Sequence, residues 1–302
     1  MERKLPVIET ATGAFGFGFQ NIFTVLRLAW LPLVLWVLLY SAYFYVLGGG
    51  AFDFSVLMGE EPAVGLAAYS ALELVTVVIE MFLFAAFTLA VIRMAALGED
   101  APGGVAYLRV GGNEVRYVLG ILLYILLFLI FTALAFAPLV GVVIYSETEA
   151  GDAAWTIPAM VAAGAFGFVA FTWFLCRTAT FVPVIAAERR LAFFYAFGMT
   201  AGNFWRIVGA SLMFVVVSVF VALLFAFGVV LLVVAINFTV GMDALQTAVE
   251  QIQFASWMVA PLVGAVIICL MMMLVFTGAY LGFGGLIYKH LADDEASDAR
   301  DA

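Results

Sequence analysis

Six long apolar stretches, separated by shorter polar segments, set the pattern of the sequence. The first four cover about residues 28–47, 69–93, 117–145 and 154–177. Two longer stretches without charged residues follow, at 207–242 and 251–288. One helix needs about 20 apolar residues to cross the hydrocarbon of a bilayer, and two crossings with a turn need about 40. Neither longer stretch contains a cluster of polar turn residues, so the pattern predicts one helix from each and an all-α integral membrane protein with six spans.

A short pattern occurs three times at the start of an apolar stretch. In each copy an alanine–aromatic pair precedes an asparagine by the same distance, and the asparagines are 92 and 90 residues apart. Two spans per copy keep the copies in one orientation, which is typical of parallel repeats. We therefore predict three parallel helical-hairpin repeats, at about 7–98, 99–187 and 188–292, within a single membrane domain covering 1–292. An acidic segment, 293–302, is predicted to be a disordered cytoplasmic tail.

Each repeat begins with a lead-in segment that is too short and too mixed in polarity to cross a membrane. The three lead-ins cover about residues 7–20, 100–112 and 186–203. Such a segment favours a short helix lying in the membrane interface. The second lead-in is rich in glycine, and a less regular structure is the alternative there.

The distribution of basic residues predicts the topology. All twelve lysine and arginine residues fall on one side of the six-span arrangement. The loops on the other side, at about 48–68, 146–153 and 238–256, contain none. Because cytoplasmic loops carry the excess of basic residues, the N-terminus, the C-terminus and the lead-ins are predicted to be cytoplasmic.

Composition excludes several classes of function. Hydrophobic residues make up 67% of the chain and charged residues 11%, whereas about a quarter of a soluble domain is charged. The net charge is −9 and no basic face is present, so nucleic acid is not an expected partner. The two cysteines lie in apolar stretches without a CxxC spacing, and no Ser/His/Asp set is present. We predict no metal, no cofactor and no enzymatic activity.

One segment resembles a known family. It runs from Arg177 through Pro183 and Glu188 to Gly202-Asn203-Phe-Trp-Arg206. The pattern is similar to YciC-like uncharacterised bacterial inner-membrane proteins and to the membrane domain fused to some glycerophosphodiester phosphodiesterases. The resemblance implies a six-span protein of the bacterial inner membrane. Phosphodiesterase activity belongs to a separate soluble domain of the fused proteins, and the resemblance does not extend to that domain.

Glu80 is the most informative single residue of the spans. It precedes Arg93 by 13 residues, or about 20 Å of helix, which places it near the bilayer midplane. Glu73, Thr76 and Glu80 share one helix face. An ionisable group at this depth costs at least a few kcal/mol and is a functional hypothesis by default. Two interpretations remain: a neutral acid hydrogen-bonded to Ser218 or Thr277, or a proton- or cation-linked pathway.

The asparagine-containing junctions also allow two interpretations. Six residues form the candidate set: Asn21, Asn113, Arg116, Asn203, Trp205 and Arg206. The asparagines are suited to capping helix N-termini, and the tryptophan and arginines to anchoring in the interface. Alternatively, helix N-termini and arginines together form a site for phosphate or a lipid headgroup.

The sequence thus favours a non-enzymatic, lipid-contacting scaffold or accessory subunit, with a small transporter or channel using Glu80 as the alternative. Membrane lipids are the expected partners, and a protein partner or a second copy is also allowed. Gly278 and Gly282 have GxxxG spacing, which favours close helix packing inside the bundle, or else a homodimer face.

The topology can be tested with a reporter fused near Asp152, in a loop without basic residues. We expect the reporter to be located outside the cytoplasm, because lysine and arginine are retained on the cytoplasmic side. An activity assay with periplasmic and cytoplasmic reporters measures the location. A cytoplasmic reporter at this position would contradict the six-span topology.

Overall fold

The computed structural model describes residues 4–48, 66–104, 107–148, 153–240 and 256–301. Within these residues the secondary structure is helical and contains no strand. The helices are α1 Val7–Gln20, α2 Ile22–Leu47, α3 Leu66–Leu97, α4 Gly112–Thr148, α5 Ala153–Thr178, α6 Phe181–Glu188, α7 Phe193–Met199, α8 Phe204–Val240 and α9 Ser256–Asp301.

Six helical segments are long and apolar enough to cross a membrane. They are Ile22–Leu47, Ala68–Leu97, Gly112–Ser146, Trp155–Glu188, Phe204–Gly228 and Ile267–Ala292. The predicted number of spans is therefore confirmed for the described part of the chain. The prediction for 48–68 and 238–256 as connecting loops falls largely outside the described residues.

The helix boundaries bear on three of the predictions. The second lead-in has no helix in its described residues before Gly112, where α4 begins. This agrees with the less regular alternative, because Pro102, Gly103 and Gly104 interrupt helical structure. The first lead-in, α1, runs into α2 with only Asn21 between them, so the first span begins six residues earlier than predicted. In the segment predicted as a disordered tail, 293–302, helix α9 continues to Asp301.

The short helix α6 is buried among other helices. Phe181, Val184 and Ile185 are fully buried and pack with Ala96 of α3 and Ile287 of α9. Helix α6 also contacts α4. Most of the described buried core lies in this half of the bundle, where the arginine-bearing helix ends meet.

Glycines allow helix α9 to approach α1 and α3 closely. A Cβ atom on Gly18 would lie 2.6 Å from the carbonyl oxygen of Val275, and one on Gly282 would lie 2.7 Å from Cδ1 of Phe17. A Cβ atom on Gly285 would lie 2.8 Å from Cβ of Ala95. The prediction that Gly278 and Gly282 serve packing inside the bundle is therefore confirmed, since Gly278 faces Gly18 across the same contact.

Two alanine substitutions within α1 test this packing. Gly18→Ala should lower the free energy of unfolding by about 1–3 kcal/mol, because the new methyl group collides with the backbone of α9. Gly16→Ala is the matched control, since a Cβ atom there meets nothing within 4 Å. The control should be neutral or stabilising, as alanine favours helix. Thermal unfolding in detergent measures both, and equal melting temperatures would contradict the close approach.

Candidate functional site

A polar pocket of about 230 Å³ lies between the end of α3, residues within 99–102 and 107–109, and the start of α4. Its lining brings together four arginines from separate parts of the chain: Arg93, Arg109, Arg116 and Arg189. Three acidic residues also line it: Glu99, Asp100 and Glu114. We call this site the arginine pocket.

The wall formed by residues 98–104 is held from two sides. Gly98 has a φ of 63°, and this left-handed conformation lets the chain reverse after α3. Arg93 Nη2 then donates a hydrogen bond to Glu99 Oε1 at 2.6 Å. From α2, Arg27 Nη2 donates to the carbonyl oxygen of Pro102 at 2.9 Å. The wall of the pocket is therefore fixed to both α2 and α3.

The start of α4 contributes buried hydrogen-bond acceptors. Glu114, in the first turn, is only 4% exposed, and its Oε2 atom has no hydrogen-bond partner among the described residues. Oδ1 of Asn113 is likewise buried without a partner among them. Glu114 Oε1 lies 4.0 Å from Arg109 Nε, at the outer limit for an ion pair. The positive end of the α4 dipole favours a carboxylate here, but one buried oxygen still lacks a donor.

Arg189 reaches the arginine pocket from a backbone conformation that is unfavourable for arginine. It follows α6 as the C-cap with a φ of 55° and a ψ of 33°. The left-handed conformation costs a residue with a side chain roughly 1–2 kcal/mol, and glycine is usual there. Its neighbour Arg190 turns elsewhere: Nε donates to Glu188 Oε2 at 2.6 Å, and the guanidinium lies over the Tyr195 ring.

Tyr107 supplies a neutral hydroxyl to the same pocket. Burial raises the pKa of its phenol, and the nearby Glu114 carboxylate raises it further, while Arg109 and Arg93 oppose the change. The phenol therefore keeps its proton at neutral pH and can donate a hydrogen bond.

The three asparagine-containing junctions have different contacts. Of the predicted junction residues, only Asn113 and Arg116 line the arginine pocket. The capping prediction is wrong for Asn21: its Nδ2 turns back and donates to the carbonyl oxygen of Phe17. Asn113 lies inside the first turn of α4 rather than before it.

At the third junction the polar groups fix the N-terminal segment to α8. Asn203 Oδ1 accepts a hydrogen bond from the backbone nitrogen of Leu5 at 3.3 Å. Arg206 Nη1 donates to the carbonyl oxygen of Leu5 at 3.2 Å. Trp205 is 79% exposed. These contacts are structural, and they do not place Asn203 or Arg206 in the pocket lining.

Glu80 accepts its hydrogen bond from a residue that the sequence did not suggest. Tyr40 Oη, on α2, donates to Glu80 Oε2 at 3.0 Å. The predicted partners Ser218 and Thr277 are wrong, because each hydroxyl donates to the carbonyl four residues earlier in its own helix. This back-bonding is common for serine and threonine inside helices.

Two cavities meet the Glu80 side chain. One, of about 810 Å³, lies between α2, α3 and α9, and the other, of about 430 Å³, lies between α3 and α4. Aromatic and aliphatic side chains form most of both linings, and Thr277 faces the larger cavity. Glu73 and Thr76 line neither of these two cavities.

Sequence reasoning missed Tyr40, Glu114, Arg93 and Arg189 as site residues. Glu114 adjoins a predicted residue, and its position in the first turn of a helix was the available signal. Nothing in the sequence distinguishes Arg189 from Arg190. No group of three or more His, Cys, Asp or Glu suited to a metal ion is present among the described residues.

Comparison with protein-family models, curated proteins and solved structures found no match to this chain. The functional interpretation therefore depends on the geometry of the sites described above.

The Glu80–Tyr40 hydrogen bond can be tested by a double-mutant cycle. Tyr40→Phe should lower the free energy of unfolding by about 1–3 kcal/mol, because the carboxyl loses its donor in an apolar cavity. Adding Glu80→Leu should recover much of this loss, since removing both partners is less costly than removing one. Tyr280→Phe is the control, as Tyr280 faces the same cavity and is 68% exposed. Additive effects on the melting temperature in detergent would contradict the bond.

Proposed function

We propose that this protein is a non-enzymatic, multi-pass protein of the bacterial inner membrane that contacts lipid headgroups through the arginine pocket. It acts as a lipid-contacting scaffold or as an accessory subunit of a larger assembly. The arginine pocket is the observation that carries the proposal. Arginine is well suited to phosphate because its planar guanidinium donates paired hydrogen bonds.

The position of the pocket supports a membrane-derived ligand. Its lining includes Arg93, 13 residues beyond Glu80 on the span Ala68–Leu97, and it includes the first turn of α4. The distribution of basic residues assigns this end to the cytoplasmic side, where phospholipid headgroups are within reach of helix ends.

We also propose that the chain belongs to a YciC-like family and that it contains three parallel repeats. Short helices precede α2 and α8, which supports a common lead-in for the first and third repeats. In the second repeat the lead-in has instead become a wall of the arginine pocket. This difference concentrates headgroup binding in one repeat of the three.

A small transporter or channel is the second candidate, favoured by the two cavities that meet at Glu80. A proton- or cation-linked pathway needs polar groups or water along its length. The largely apolar linings and the Tyr40 hydrogen bond favour a structural role for Glu80 instead.

Lipid binding by the purified protein tests the first candidate. Arg116→Gln should weaken phospholipid binding about tenfold, as expected for losing one hydrogen bond from a charged group. Arg190→Gln is the matched control, because Arg190 is a neighbouring arginine held by Glu188 outside the pocket. Native mass spectrometry of the protein in detergent measures bound lipid. Equal binding by both variants and the original protein would contradict the proposal.

The same preparations separate the two candidates. Glu80→Gln should leave lipid binding and proton flux into proteoliposomes unchanged if the protein is a lipid-contacting scaffold. A flux that requires the original Glu80 would instead establish the transport candidate.

A further inference from the structure

The arginine pocket has two chemically different sides. Arg93, Arg116 and Arg189 offer cationic donors. The first turn of α4 offers acceptors, through Glu114 Oε2 and Asn113 Oδ1, which are buried without a donor among the described residues. A simple phosphate would satisfy the arginines only, and it would bring a further negative charge towards Glu114 in a pocket that Glu99 and Asp100 also line.

Among the pocket residues, Glu114 places the strictest requirement on the chemistry of a ligand. Its nearest cation, Arg109, has a side chain that is 71% exposed, so solvent screens the ion pair and weakens it. On the other side, the carboxylate packs against Gly111, where a Cβ atom would lie 2.9 Å from Oε2. A buried carboxylate with an unfilled acceptor is unfavourable unless a donor, best a cationic one, is present.

We propose, on the basis of the lipid contact described above, that the pocket recognises an aminophospholipid whose headgroup carries both a phosphate and a primary ammonium. The phosphate contacts the arginines. The ammonium donates to Glu114 Oε2 and Asn113 Oδ1. A primary ammonium has three N–H donors, and its hydrogen bonds to a carboxylate are charge-assisted and strong.

Headgroups of similar size differ in the group they offer to Glu114. The trimethylammonium of phosphatidylcholine has the same charge but no N–H donor. The glycerol of phosphatidylglycerol has hydroxyl donors but no positive charge. Phosphatidylethanolamine alone among these three supplies both a donor and a positive charge.

Arg189 provides an independent reason to treat the pocket as a binding site. An arginine occupies a left-handed C-cap position where glycine would relieve the backbone. Arg189 lines the pocket, whereas its neighbour Arg190 pairs with Glu188. Unfavourable backbone conformations of this kind concentrate at ligand-binding sites.

The test measures headgroup preference with the full chain in detergent. Phosphatidylethanolamine, phosphatidylcholine and phosphatidylglycerol with identical acyl chains are titrated and counted by native mass spectrometry. The original protein should bind phosphatidylethanolamine about tenfold more tightly than either of the others, a difference of about 1.4 kcal/mol. Equal binding of phosphatidylethanolamine and phosphatidylcholine, or a preference for phosphatidylglycerol, would overturn the ammonium assignment.

Variants separate the two sides of the pocket. Glu114→Gln should reduce the preference over phosphatidylcholine to about twofold or less, because the amide is a neutral acceptor. Arg189→Gly should weaken the binding of all three lipids to the same extent. Its melting temperature should stay unchanged or rise, which would show that the variant loses binding without losing its fold. Arg190→Gln should keep the original preference. An unchanged preference in a folded Glu114→Gln variant contradicts the assignment.

Two further outcomes distinguish this inference from the function on which it rests. If Arg116→Gln weakens the binding of all three lipids but the original protein prefers no headgroup, the proposed lipid contact is supported and the proposed recognition of an ammonium is contradicted. If no pocket variant changes the binding of any lipid, both the proposed lipid contact and the proposed ammonium recognition are contradicted. Soluble glycerophosphoethanolamine serves as competitor: displacement of the lipid supports headgroup recognition without the acyl chains, and retention of the lipid supports a requirement for the chains.

Discussion

The burial of helix α6 is the constraint on which the rest of the described structure depends. Phe181, Val184 and Ile185 are fully buried, and they pack the half of the bundle where the arginine-bearing ends of the spans meet. Glu188, at the end of α6, accepts a hydrogen bond from Tyr288 Oη of α9 at 3.1 Å. The next residue, Arg189, adopts its left-handed conformation and enters the arginine pocket. The burial of α6 therefore fills the core and also positions Arg189 at the pocket.

The two polar sites of the protein have different physical settings. Glu80 lies in the middle of a span, among apolar cavity walls, and receives one neutral donor from Tyr40. Glu114 lies at a helix N-terminus, where the free N–H groups and dipole favour negative charge, and four arginines surround the same pocket. The first setting suits a fixed contact between helices. The second suits exchange of a charged ligand.

Much of the fold could be predicted from the sequence, and less of the site. Helix type and number follow from the length of each apolar stretch, because backbone groups in hydrocarbon must bond within their own segment. The glycine contacts were also foreseen at Gly278 and Gly282. Residue partners were not foreseen. Ser218 and Thr277 have the right depth for Glu80, yet each hydroxyl donates within its own helix, and Tyr40 of α2 forms the bond instead.

The arginine pocket shows most clearly which features follow from the sequence and which follow from tertiary structure. Sequence alone determined that the chain is apolar, helical and asymmetric in charge, because these are properties of each segment taken separately. Which arginines converge was decided by tertiary structure: Arg93, Arg109, Arg116 and Arg189 come from three regions of the chain. Spacing along the sequence does not encode the rotation of one helix about its axis relative to another. Packing sets that rotation, and it directs Arg189 into the pocket while Arg190 remains on Glu188.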